Sequence, residues 1–213
     1  MDKKRIGYYD YTVILTYLGL LFACCGIFQV MSKQYWLAVF CLMAAGVCDM
    51  FDGTVAKTKE RDDGEKCFGI QIDSLSDLVR FGALPALFVY NTSGGHPAVG
   101  IISALYILAA LIRLAYFNVL EQQRQRETPD RKSSFLGVPV TTIAVLLPLV
   151  YVIYDYHLLH SRVIFSLMLI VTGAGFLTPV TIKKPDALGK LALIVVGVAE
   201  AAVMFLFMGW DAV

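Results

Sequence analysis

Seven apolar runs of about twenty residues follow one another along this chain, near 11–31, 35–56, 67–91, 97–119, 138–157, 162–180 and 189–209. About twenty apolar residues in a helix cross a hydrocarbon core roughly 30 Å thick. Lipid offers no partner to an open backbone, so a lipid-facing run of this kind has to be a helix. The expected fold is therefore all-α, a polytopic helical membrane protein. Hydrophobic residues make up 58% of the 213 positions and charged ones 16%, whereas about a quarter of a soluble domain is charged. We expect one transmembrane domain over 11–209, between a cytoplasmic segment 1–10 and a short tail 210–213. MDKKRIGYYDYT lacks the order of a signal peptide, so none is expected to be removed.

Charge sets the expected orientation. Lys3, Lys4 and Arg5 share one side with Lys57, Lys59, Arg61 and Lys66, with Arg124, Arg126, Arg131 and Lys132, and with Lys183, Lys184 and Lys190. The opposite side has only Lys33 and Arg162, while Arg80 and Arg113 fall within spans. With the N-terminus in the cytoplasm, fourteen against two is a strong positive-inside signal, and it supports an odd number of spans. A basic inner face also suits anionic lipid head groups, although the same residues serve topology alone. The net charge of +1 gives no sign of nucleic-acid binding. Cys24, Cys25, Cys41, Cys48 and Cys67 form no CxxC pair and read as small core residues. His96, His157 and His160 lie on the outer side, away from the acidic residues described next.

Four aspartates interrupt the apolar runs. Asp49 and Asp52 are spaced i,i+3, and Asp73 and Asp77 i,i+4, so each pair shares a helix face. At about 2.5–3.5 kcal/mol for each aspartate near a membrane helix centre, four cost roughly 10–14 kcal/mol unless cations neutralise them. Counting about 1.5 Å per residue puts them roughly 12–15 Å below the inner surface, in a cavity open to the cytoplasm. Gly53, Ala56 and Gly69 return to the same faces, where small residues leave room for a large group or for tight helix packing. Carboxylates suit hard divalent ions such as magnesium, manganese or calcium. Two such ions would balance the four charges and still hold a diphosphate. Glu60, Asp62, Asp63 and Glu65 read as a solvated loop.

The words Asp49-x-x-Asp52-Gly53-x-x-Ala56-Lys57 and Gly69-x-x-x-Asp73-x-x-x-Asp77 resemble the signature of the CDP-alcohol phosphotransferases, with lysine where arginine is commonest. Lysine keeps the charge but not the bidentate fork. Eleven residues separate Lys57 from Gly69, a spacing similar to the phosphatidylserine synthase branch. FGIQIDSLSDLVRFGALPA, RLAYFNV (113–119) and FLGVP (135–139) are similar to that branch too, except that Arg80 replaces a small polar residue. The resemblance covers about half of the chain.

The resemblance implies a six-helix core plus one further span, and transfer of the phosphatidyl group of CDP-diacylglycerol to the hydroxyl of L-serine. It implies two Mg2+ or Mn2+ ions per site, one on Asp49, Asp52 and Asp73 and one on Asp49, Asp73 and Asp77, with Asp77 as the base. Gly53, Ala56, Lys57 and Gly69 would line the cytidine and diphosphate site, with Thr16 of LTYLGLL facing it. A homodimer in the cell membrane is implied as well, its site facing the cytoplasm among membrane lipids.

Other residues keep two readings. Arg113 is an interfacial anchor or, as the resemblance favours, an anion clamp. Arg80 either pairs with an aspartate or contacts substrate. Asn118 and the Gly137–Pro139 turn are further candidates, and Glu200 reads as a protonated acid bonding between helices. Inositol phosphate or glycerol 3-phosphate are the alternative acceptors, for which Arg80, Arg113 and Lys132 would supply cations. A divalent-cation transporter is the reading from another class. Transporters are often built from paired repeats with a site reached from both faces, whereas here all four acids come from one helical hairpin.

Overall fold

The structure, a computed structural model, describes residues 7–126, 134–155, 161–179, 181–183 and 187–207. Helices α1 (Ile14–Met31) and α2 (Tyr35–Val55) form the first hairpin, with a 3-10 turn before α1 over Tyr11–Val13 and one after α2 over Ala56–Thr58. The third apolar run is α3 (Asp63–Asp77), a π-helical stretch (Leu78–Ala83) and α4 (Leu84–Thr92), end to end. Then come α5 (Pro97–Arg126), α6 (Ile143–Asp155), α7 (Ser161–Leu177) and α8 (Ala187–Phe207). The chain is thus a polytopic helical membrane protein. The first two helices and α5 are each long and apolar enough to cross a bilayer unaided. The third segment, with its aspartates and Arg80, is not among those three.

Small residues decide how closely the first helices approach. The buried face of α1 carries Thr16, Gly19, Ala23, Gly26 and Val30, a seam at i,i+3 and i,i+4 spacing. A Cβ on Gly26 would come within 2.9 Å of Leu84 and 3.1 Å of Cys41. Lipid gives helices no hydrophobic reason to associate, so close van der Waals contact at small residues holds them. On α2 the buried stripe runs through Ala38, Leu42, Ala45 and Cys48 and ends on Asp52. The same periodicity that packs the helix therefore carries a carboxylate inside. Phe88 of α4 sits at the centre, edge-on to Tyr35, Tyr151 and Phe165 at 5.6 Å.

The loop before α3 is more ordered than a solvated stretch. Asp62 accepts from the Glu65 amide at 2.7 Å and Glu65 accepts from the Asp62 amide at 3.2 Å, a capping box. Helix α3 consequently begins at Asp63, four residues before the expected span. Lys59 bridges Asp10 at 2.7 Å and Glu65 at 2.9 Å, so Glu65, read from sequence as merely solvated, ties the N-terminal segment to this loop.

Two three-residue strands, β1 (Ser134–Leu136) and β2 (Thr181–Lys183), form a short antiparallel ribbon with Phe135 opposite Ile182. It joins the approach to α6 with the exit from α7, within an otherwise helical fold. The five cysteines are free. Lys132, His157, His160 and the segment 210–213 lie outside the described residues, as do residues 1–6.

Candidate active site

The acidic site forms where α1, α2 and α3 converge. One carboxylate oxygen from each of Asp49, Asp52 and Asp73 lies within 4.8 Å of the others. Asp52 is buried and accepts a hydrogen bond from Thr16 Oγ1 at 3.3 Å. Asp73 Oδ1 is buried with no hydrogen-bond partner among the described residues. An orphaned carboxylate oxygen is costly to bury, and a divalent ion would satisfy it. Three convergent hard oxygen donors fit such a group.

Asp77 is buried one turn beyond Asp73, facing Arg80 at 3.3 Å. The Arg80 guanidinium also lies 3.6 Å from Asp49 and 3.9 Å from Asp52. Its Nη2 donates to the Thr16 carbonyl. Of the two sequence readings for Arg80, the ion pair is the one this geometry contains.

Gly53 lies next to Asp52, and a Cβ there would meet nothing within 4 Å, so that flank is open. Ala56 begins the 3-10 turn that ends the hairpin arm; Lys57 follows within it, and its side chain lies outside the described atoms. At Gly69 a Cβ would come within 2.9 Å of Arg61 Nη1. The glycine lets that arginine cross α3, a cation counted from sequence only as a topology signal.

Two α5 residues complete the surroundings. Asn118 Oδ1 accepts from Ser74 Oγ at 2.7 Å, joining α5 to the residue after Asp73. Arg113 is buried, 5.3 Å from the Phe117 ring centroid, with its Nε unbonded among the described residues. It lines a cavity of about 240 Å³ with Ile112, Tyr116, Phe176, Leu177, Thr178 and Pro179. Gly137 closes on that cavity at φ +82°, where a Cβ would meet Phe176 O at 3.0 Å and Arg113 Nε at 3.2 Å. No ion pair among the described residues joins Arg113 to the aspartates. Glu200 is buried in α8, and neither of its carboxylate oxygens has a hydrogen-bond partner among the described residues, unlike the interhelical bond expected from sequence.

Sequence reasoning missed Gly19. A Cβ there would lie 2.8 Å from the Arg80 guanidinium carbon. The available signal was its place in the first span, three residues after Thr16 and hence on nearly the same face.

Comparison with known proteins finds relatives of this sequence. A family model described as CDP-alcohol phosphatidyltransferase matches residues 12–178. The CDP-diacylglycerol–serine O-phosphatidyltransferase of Helicobacter pylori is 30% identical over 179 residues, covering 83% of this chain and 70% of that protein. The protein of the same description from Methanocaldococcus jannaschii is 27% identical over 210 residues, 95% of this chain and 90% of that one. Archaetidylserine synthase of Methanothermobacter thermautotrophicus is 26% identical over 189 residues, 88% and 76% of the two chains.

Proposed function

Because this chain belongs to the CDP-alcohol phosphatidyltransferase family, we propose that it transfers the phosphatidyl group of CDP-diacylglycerol to the hydroxyl of L-serine, releasing CMP and phosphatidylserine. The observation that carries this reading is the convergence of both aspartate pairs of the family signature on one buried spot. The descriptions of the serine-transferring relatives support the choice of acceptor.

Asp49, Asp52 and Asp73 would hold a divalent ion, Mg2+ or Mn2+, which would supply positive charge to neutralise the diphosphate. A second ion on Asp49, Asp73 and Asp77, implied by the resemblance, would compete for position with the Arg80 guanidinium. Asp77 takes the proton of the acceptor hydroxyl. The serine oxygen bonds to the lipid-side phosphorus as the bond from that phosphorus to the oxygen of CMP breaks. Thr16 orients Asp52 through its hydroxyl. The open flank at Gly53 and Ala56 admits the cytidine diphosphate, with Lys57 and Arg61 supplying positive charge beside it, Arg61 across Gly69. Arg113 in its cavity offers its Nε–H, unbonded among the described residues, to an acceptor carboxylate or a lipid phosphate. The lipid tails stay in the bilayer while the head group enters from the cytoplasmic side of the cell membrane, and the working unit is a homodimer.

The test is CMP release by purified protein given CDP-diacylglycerol with serine, glycerol 3-phosphate, inositol or inositol phosphate in turn. Serine is expected to give product. Product with another acceptor and none with serine would overturn the acceptor, and Mn2+ flux into protein-loaded liposomes without CMP release would replace the enzyme by a transporter.

A further inference from the structure

Arg80 is the most enclosed charged group described, with no measurable exposure. It stands in the π-helical stretch Leu78–Ala83, whose end is marked by the wide bond from the Leu84 amide to Val79 O. Such widened turns insert a residue into a helix and recur at functional sites. The turn keeps Arg80 over Asp77 at i,i+3, its Nη1 facing Asp49, Asp52 and Asp77 at 3.6, 3.9 and 3.3 Å. On its far side the Thr16 carbonyl accepts Nη2, and the missing Cβ of Gly19 leaves the space the guanidinium fills. The group is walled in by α1 and has no described route to solvent.

We propose that Arg80 is a resident cation standing at the second cation position of the acidic site. This chain then binds one divalent ion, on Asp49, Asp52 and Asp73, where the family resemblance implies two. The division of the carboxylates carries the inference. Asp49, Asp52 and Asp73 offer oxygens that converge on one another, while Asp77 is outside that group and makes the shortest of the three Arg80 contacts, 3.3 Å against 3.6 Å to Asp49 and 3.9 Å to Asp52. Paired ions in two-metal sites lie about 3.5–4 Å apart and share carboxylates, and an oxygen ligand approaches Mg2+ or Ca2+ to about 2.0–2.6 Å. A second ion on Asp49 and Asp77 would have to enter the space between those two carboxylates, where Nη1 already sits. Arg80 thereby acts as a positioning residue, fixing Asp77 relative to the single ion.

The inference rests on reading the acidic cluster as a metal site, and counting ions separates the two claims. Full-length protein in detergent micelles is titrated with Mn2+ by calorimetry and by electron paramagnetic resonance, with and without CDP-diacylglycerol. One Mn2+ per chain under both conditions is the expected result. Two would overturn the resident cation and leave the proposed reaction standing, whereas none would overturn both. Arg80→Ser should raise the count from one to two, and Arg80→Ser with Asp77→Asn should return it to one. Asp77→Asn alone should leave it at one, where a two-ion site would drop from two to one. If Arg80→Ser yields no folded protein, the wild-type and Asp77→Asn counts still decide.

Discussion

The guanidinium of Arg80 fills the space that a Cβ on Gly19 would need, with carbon and Nη2 both 2.8 Å from that position. A glycine in an apolar helix has thereby become part of an acidic site whose carboxylates come from the next two helices of the chain. The Thr16 carbonyl, one turn earlier on α1, accepts the same arginine, and the Thr16 hydroxyl reaches Asp52. Helix α1 supplies no carboxylate, yet it holds the cation that faces three of them.

Gly19→Ala should therefore act on the site as well as on packing. An added methyl in a filled interior costs about 1–3 kcal/mol, and here the displaced group is a charge with nowhere to go. We expect a lower thermal midpoint in micelles together with a loss of phosphatidyl transfer. Unchanged melting and transfer in the Gly19→Ala protein would show that Arg80 has slack this geometry does not contain.

Asp77→Asn should lower transfer by about 10²–10⁴-fold, the usual contribution of a positioned base. The fold should survive, because Arg80 keeps Asp49 and Asp52 as partners after Asp77 loses its charge. CMP release measured beside circular dichroism separates the two effects. Transfer within a few-fold of wild type would remove Asp77 from the proton transfer.

Gly137→Ala tests the Arg113 cavity. Its φ of +82° disfavours a side chain by about 1–2 kcal/mol, and the new methyl would press on Phe176 O and Arg113 Nε. The expected outcome is a raised KM for the acceptor with a smaller change in kcat. A change in kcat alone would move Arg113 away from acceptor binding.

Acid should release the N-terminal segment only well below neutral pH. The ion-paired hydrogen bond from Lys59 holds the Asp10 carboxyl down at about 2 from its ordinary 3.8. A depressed carboxylate contributes stability fully above its unfolded value and loses it as pH falls through the folded one, so the window runs from about 4 to 2. Amide exchange at Thr12, whose N–H donates to Asp10 at 2.9 Å, should be insensitive to pairing changes between pH 5 and 8 after correction for intrinsic rates. It should quicken on Asp10→Asn and with added salt, since exposed pairs are screened. Equal protection in Asp10→Asn would mean that the segment is held without the Lys59 pair, by the Tyr8–Phe68 ring contact and the bond from Tyr17 Oη to Tyr8 O.

Much of this protein was legible in its sequence because lipid is so restrictive a solvent. Runs of apolar residues long enough to cross a membrane have to become helices, and helical periodicity then assigns Asp49 with Asp52, and Asp73 with Asp77, to common faces. The cost of burying those charges marked them as candidate site residues, and signature spacing led to the family. Local pattern also located the Gly137 turn, although its ribbon pairs residues nearly fifty positions apart and no local rule foresees that.

Tertiary structure decided which charge answers which. Arg80 read equally well as an aspartate partner or a substrate contact, because its spacing from Asp77 says nothing about α1. Only the approach of α1, close enough for Gly19 and Thr16 to wall the guanidinium, resolved that choice and turned Arg80 onto Asp49, Asp52 and Asp77. Likewise Ser74 and Asn118 meet through the packing of α3 on α5, and Glu65 meets Asp10 through Lys59. Helix faces follow from residue spacing, which the sequence carries. The meeting of two faces depends on how closely helices distant in sequence can pack, and that is settled by side-chain volume in three dimensions.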